Sequence, residues 1–148
     1  MAVMQIPRKV DYGLRAAIYL AAQDPAKSCS VAEIARQQGI PRKFLEKIIQ
    51  SLIHRGLVKS KRGHTGGYTL ARSPGEISFR DIIEALEGPI AVNVCMDHHM
   101  SCSHLSRCTM VGVWYEIQHR VMDVFTHTTL ADLQKQPGVG FSSLSSAA

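Results

Sequence analysis

Val10, Leu14, Ile18 and Ala21 recur at intervals of four, four and three, a spacing that predicts a helix over residues 10–22 with one buried stripe. Val31, Ile34 and Ala35 mark a second helical face. Ser30 is placed to cap it, with Glu33 positioned to reach back to the cap, and Gly39 ends it. Pro41 suits the first turn of a third helix, because its missing N–H is not needed there and its φ is already helical. That helix runs to about residue 55, with Leu45, Ile48, Ile49 and Leu52 buried and Arg42, Lys43, Lys47 and Ser51 toward solvent.

Residues 57–60 and 68–71 read as two short strands joined by a basic, glycine-rich tip, KRGHTGG. Ser78 caps a short helix over residues 79–87 that buries Ile82, Ile83 and Leu86, and Gly88 and Pro89 stop it. Residues 91–108 follow neither helical nor strand period. From Met110 the period returns through Trp114, Ile117, Val121 and Val124, at intervals of four, three, four and three. These are heptad a and d positions, so a long helix carries an apolar seam that its own domain or a second subunit must cover. Thr129 caps a last turn over residues 130–133, and the uncharged tail after Pro137 is expected to be mobile.

The expected fold is mainly α with a small β-hairpin wing, a winged helix-turn-helix plus a long C-terminal dimerisation helix. Its divisions are residues 1–90 for DNA binding, 91–109 for a cysteine-rich loop, 110–135 for dimerisation and 136–148 for the tail.

A length of 148 residues excludes a large multidomain enzyme, and 45% hydrophobic with 20% charged residues gives an ordinary globular core. The longest apolar run, residues 16–22, is too short to cross a bilayer, and nothing after Arg8 and Lys9 resembles an export signal, so the expected place is the cytoplasm. Charge is unevenly spread. Residues 1–72 hold 13 Lys and Arg against 4 Asp and Glu, a net +9, while residues 73–148 are −4. Such asymmetry points to a polyanionic partner, although a basic half can also be a hydrated face.

The candidate recognition helix offers Arg42, Lys43 and Lys47, and the wing offers Lys59, Lys61, Arg62 and His64. An ordinary helical hairpin is the plain alternative for the helix pair. The wing that follows directly raises double-stranded DNA above it, and the glycine-rich tip lacks the Gly-Lys-Ser/Thr ending of a nucleotide cradle. No nucleophile, base and orienting group stand together, so catalysis is not expected.

Cys95, Cys102 and Cys108 are spaced C-x6-C-x5-C, while Cys29 stands apart and reads as a partly buried small residue. Three soft thiolates leave room for an iron–sulfur cluster, for zinc completed by His98, His99 or His104, or for metal-free thiols that switch by disulfide formation. A metal-binding redox protein docking an acidic partner is a further alternative.

RKVDYGLR at 8–15, SVAEIA at 30–35, FLEKII at 44–49, GLV at 56–58, Arg62-Gly63, Gly66-Gly67-Tyr68, Trp114 and TLADL at 129–133 together resemble the IscR/NsrR family of winged-helix transcription regulators. The resemblance covers about residues 5–135. It implies a homodimeric regulator, a repressor or dual regulator, that reads a near-palindromic operator and holds an iron–sulfur cluster, 4Fe–4S favoured and 2Fe–2S possible, on Cys95, Cys102 and Cys108. In the iron–sulfur assembly branch a histidine three residues beyond the last cysteine completes the cluster, but Val111 stands there. The nitric oxide sensing branch uses an aspartate of the first helix, supplied by the other subunit, and Asp11 matches it. The resemblance therefore implies Asp11 as fourth ligand and a nitric oxide, redox or iron–sulfur signal. As a helix-end carboxylate facing Arg15 four residues on, Asp11 also has a purely structural explanation.

Overall fold

Pro7 starts the first helix, α1 (Arg8–Ala21), two residues before the apolar stripe does, because its carbonyl accepts the N–H groups of Val10 and Asp11 at 2.8 and 3.2 Å. The computed structural model describes residues 6–97, 99 and 101–135, so His98 and the tail after Pro137 lie outside the described residues. Along the chain follow α2 (Val31–Gln38), α3 (Arg42–His54), β1 (Val58–Lys61), β2 (Gly67–Leu70), α4 (Phe79–Glu87), α5 (Val111–His127) and α6 (Leu130–Lys135). This is the mainly α fold with a hairpin wing and a long C-terminal helix that the periodicity predicts.

The buried face of α1 is wider than its stripe. Gly13, Ala16, Ala17 and Leu20 join Val10 and Leu14, whereas Ile18 and Ala21 are only half-buried. α1 is packed by α2, α3, α4, α6 and β2 at once. Its small residues allow the close approach: a Cβ on Gly13 would lie 2.3 Å from Cδ1 of Leu86 on α4.

Ser30 caps α2 as expected, accepting the Glu33 N–H at 3.1 Å. The Glu33 carboxylate does not reach back, because it accepts from the Tyr19 hydroxyl at 3.0 Å instead. Burial and this acceptor together push the Tyr19 phenol up from its ordinary value. Gly39 ends α2 at φ 61°, a left-handed conformation that glycine adopts without strain. Pro41 proves to be the residue before α3 rather than its first turn. α3 then buries Leu45, Ile48, Ile49 and Leu52, the stripe its sequence predicts.

β1 and β2 pair antiparallel, with Val58 opposite Leu70 and Lys61 opposite Gly67. Both strands are offset by one residue from the sequence expectation, because the Leu57 N–H is used to close α3 onto the Leu52 carbonyl at 2.9 Å. The linker before α2 adds a rung to the hairpin: Cys29 donates to Tyr68 O at 3.0 Å and Tyr68 donates to Cys29 O at 2.8 Å. Gly67 is required beside it, since a Cβ there would lie 2.6 Å from the Cys29 carbonyl oxygen.

A reciprocal Ser78–Asp81 capping box starts α4, as the Ser78 cap predicts. Beyond α5 the chain returns to the same core. Phe79 stacks on Phe125 at 5.3 Å between ring centroids, Phe79 N–H donates to Thr128 O at 2.8 Å, and Leu130 is fully buried. Thr129 caps α6 in exchange with Asp132, and those hydrogen bonds hold the Asp132 carboxyl below the usual carboxylate range. α5 itself buries nothing completely. Met110, Val113, Tyr115 and Val124 are exposed, and Trp114, Ile117 and Val121 are half-buried. No described helix is long and apolar enough to cross a membrane.

Candidate nucleic-acid interface and thiol loop

The α3 stripe that points into the core fixes which residues point out of it. At 100° per residue, the ridge opposite Leu45, Ile48, Ile49 and Leu52 is Lys43, Lys47, Gln50 and His54, and all four are exposed. Arg42 lies at one edge of this face, its Nε 3.0 Å from Glu46 Oε1, so the carboxylate holds the guanidinium along the helix while both groups remain solvated. Ser51, expected toward solvent, is half-buried and donates to the Lys47 carbonyl at 3.3 Å. Sequence reasoning names the cations of this ridge but omits Gln50 and His54, which the same helical phase reaches one and two turns further on.

The hairpin places Lys61, Arg62 and His64 on the exposed wing tip, and none of them is ion-paired among the described residues. The tip is shaped by backbone packing: Gly66 N–H donates to Gly63 O at 2.9 Å, and a Cβ on Gly66 would come within 2.6 Å of the Lys61 carbonyl oxygen. Ser28 ties the tip to the body through a hydrogen bond to the Thr65 carbonyl. Lys59 differs from the others. It lines an open depression of about 450 Å³ together with Leu20, Lys27 and Arg72.

The aperiodic loop between α4 and α5 is anchored by a residue that sequence reasoning misses. Gln118 of α5 donates through Nε2 to Ile90 O at 2.7 Å and accepts the Val92 N–H on Oε1 at 2.9 Å, so its amide pairs with the loop as a neighbouring strand would. Its only signal in the sequence is a polar residue next to the seam position Ile117. Cys95 sits in the short 3₁₀ turn Val94–Met96, whose first N–H donates to the Asn93 side chain at 2.8 Å. Cys108 follows a second such turn, Leu105–Arg107, and Cys102 lies between. All three thiols are half-buried and free. Cys95 opens on a cavity of about 470 Å³ shared with Asp97, His99, His119 and Met122. His99 and His104 are exposed. Cys29 is more fully buried than the partial burial expected, and burial with the nearby Glu33 pushes its thiol up, away from the reactive thiolate.

Asp11 stays on α1, more than half exposed, with Arg15 Nε at 3.8 Å. The Arg15 guanidinium also lies over the Tyr12 ring at 5.4 Å. Among the described residues, no three His, Cys, Asp or Glu side chains gather closely enough to hold a metal ion.

Residues 6–136 match the Rrf2 family, described as an iron-dependent transcriptional regulator. The chain is 37% identical over 131 residues to the regulator CymR of Bacillus subtilis, covering 88% of this chain and 89% of that one. The solved structure of that protein, described as the global cysteine regulator, superposes with a TM-score of 0.74 at 34% identity over 88% of this chain and 96% of its own. The oxidized form of Staphylococcus aureus CymR matches with a TM-score of 0.74 at 31% identity, covering 92% and 100% of the two chains. IscR of T. potens matches with a TM-score of 0.74 at 32% identity, covering 95% and 96%.

These findings overturn the iron–sulfur cofactor expected on Cys95, Cys102, Cys108 and Asp11, whether 4Fe–4S or 2Fe–2S. A cluster needs its ligands aimed at one centre. Here Cys95 lies in one turn, Cys102 in the segment after it and Cys108 beyond a second turn, and no metal-holding group forms among the described residues. The similarity to CymR-type regulators points the same way.

Gln118→Leu should lower stability by about 1–3 kcal/mol, because it leaves the Ile90 carbonyl and the Val92 N–H without partners in a partly buried position. Urea unfolding and amide exchange at Val92 measure this. Unchanged stability with unchanged exchange would mean that apolar packing alone holds the loop base.

Proposed function

The chain belongs to the Rrf2 family of transcriptional regulators, and from that premise we propose that it is a homodimeric repressor or dual regulator of a near-palindromic operator, switched by the redox state of its loop thiols. It is a DNA-binding protein and not an enzyme. The observation that carries the switch is the set of three free, half-buried thiols on a loop anchored to the long helix. The likeness to a cysteine regulator and to an oxidized relative supports it. The nitric oxide branch depended on Asp11 as a cluster ligand and goes with the cluster.

The chemistry is that of cysteine oxidation. A peroxide oxidises one thiolate to a sulfenic acid and is itself reduced to water or an alcohol; a second thiol then displaces water and closes a disulfide. Joining two loop cysteines shortens the segment between α4 and α5. Because Gln118 anchors the base of that segment to α5, the shortening acts on the helix that bears Trp114, Ile117, Val121 and Val124. A second subunit covers this seam, and its position sets the separation of the two recognition helices, which a two-fold reader needs about 34 Å apart. Arg42, Lys43 and Lys47 of α3, with Lys59, Lys61, Arg62 and His64 of the wing, supply the hydrogen bonds and charge that hold DNA.

Three outcomes test this reading. Peroxide treatment should change operator affinity by about 5–150-fold, the usual range for coupled sites. The change should reverse with a thiol reductant, be lost in a Cys95→Ser, Cys102→Ser, Cys108→Ser triple variant and persist in Cys29→Ser; equal binding before and after complete loop oxidation would overturn the switch. Arg62→Ala should flatten the log–log salt dependence of binding by about 0.9 for each phosphate that the guanidinium neutralises. An unaltered slope removes the wing from the interface. Ile117→Asp should shift sedimentation from dimer toward monomer, because it places an unpaired charge in an apolar seam. A dimer of wild-type strength would assign the seam to some other role.

A further inference from the structure

Phe44 is 60% exposed in the first turn of α3, a position where an apolar ring gains nothing from the fold. It is absent from the hydrophobic residues packed against the core, whereas its neighbours Leu45 and Ile48 are fully buried. On the helical wheel it stands at the edge of the outward face, 60° from Lys47 and on the opposite flank from Arg42. The surroundings restrict what could cover it. Arg42, Lys43 and Lys47 are exposed cations within one turn, so an apolar protein groove would have to desolvate them, while a polyanion would neutralise them.

On a DNA duplex, residues at the start of a recognition helix meet base edges in the major groove. The only aliphatic group displayed on those edges is the C5 methyl of thymine. We infer that Phe44 is a specificity-determining residue that packs on a thymine methyl in each operator half-site. The inference rests on the DNA-binding reading above. It adds a base preference that neither the lysines of the α3 ridge nor the wing can supply, since cations reach phosphates or guanine edges.

The test uses the full chain and a duplex recovered by selection from a random pool. Each thymine of that duplex is replaced singly by deoxyuridine, which removes the methyl and leaves every hydrogen-bonding group in place. Wild type should bind about fourfold more weakly for one thymine in each half-site, the factor expected from one buried methyl. Phe44→Ala should bind the selected duplex more weakly, bind unselected DNA as well as wild type, and be indifferent to the deoxyuridine exchange. Thermal unfolding of the variant serves as the control for folding, and an exposed position predicts little change. Wild type that ignores every deoxyuridine substitution, or Phe44→Ala that remains as sensitive as wild type, overturns the inference while leaving DNA binding intact. Recovery of no duplex at all removes the DNA-binding reading and the inference with it.

Discussion

Close packing around α1 is the constraint on which the other elements depend. Gly13, Ala16 and Ala17 leave low places between Val10, Leu14 and Leu20 on the inner face of this helix, so α3 and α4 approach it closely and α6 packs on it. A larger side chain at Gly13 would meet the Cδ1 end of the Leu86 side chain on α4, which would have to move. α4 carries Phe79, the stacking partner of Phe125 on α5, so a displacement there passes to the long helix. The recognition helix on one side and the long helix on the other are thus referred to a single buried element.

The exposed surfaces are organised by what this core leaves over. Burying Leu45, Ile48, Ile49 and Leu52 directs Lys43, Lys47, Gln50 and His54 outward without further interactions. The wing is held by a different means. Its two short strands would be marginal as an isolated hairpin, and the paired Cys29 and Tyr68 backbones attach it to the linker that precedes α2. Recognition helix and wing therefore share a rigid base, which suits simultaneous engagement of groove and backbone. The exposed ion pair of Arg42 and Glu46 contributes little to stability but orients a guanidinium at the edge of that surface.

The loop that bears the thiols is built more lightly. Among its described residues, two 3₁₀ turns and a few local hydrogen bonds shape it, and the two hydrogen bonds of Gln118 tie its base to α5. The same anchor ties the segment to the helix that bears Trp114, Ile117, Val121 and Val124. The three loop thiols stand half-exposed where an oxidant can reach them. Cys29, buried beside the wing with its thiol pushed up, is suited to structure instead.

The elements themselves, the buried stripe of α3, the Ser30, Ser78 and Thr129 caps and the basic ridge were legible in the sequence. Each rests on interactions within about four residues, where periodicity and capping chemistry act directly. Arrangements that join distant residues were not legible. The width of α1's buried face came from five neighbours packing on it, Glu33 was diverted from its cap by Tyr19, and Gln118 found its partners 26 and 28 residues away. The spacing of Cys95, Cys102 and Cys108 admitted a metal cluster, zinc or a thiol switch, because spacing limits how far apart ligands lie along the chain and says nothing of where their sulfur atoms point. Where the three residues sit is set by the two turns and by the anchor to α5, and only the tertiary structure shows it.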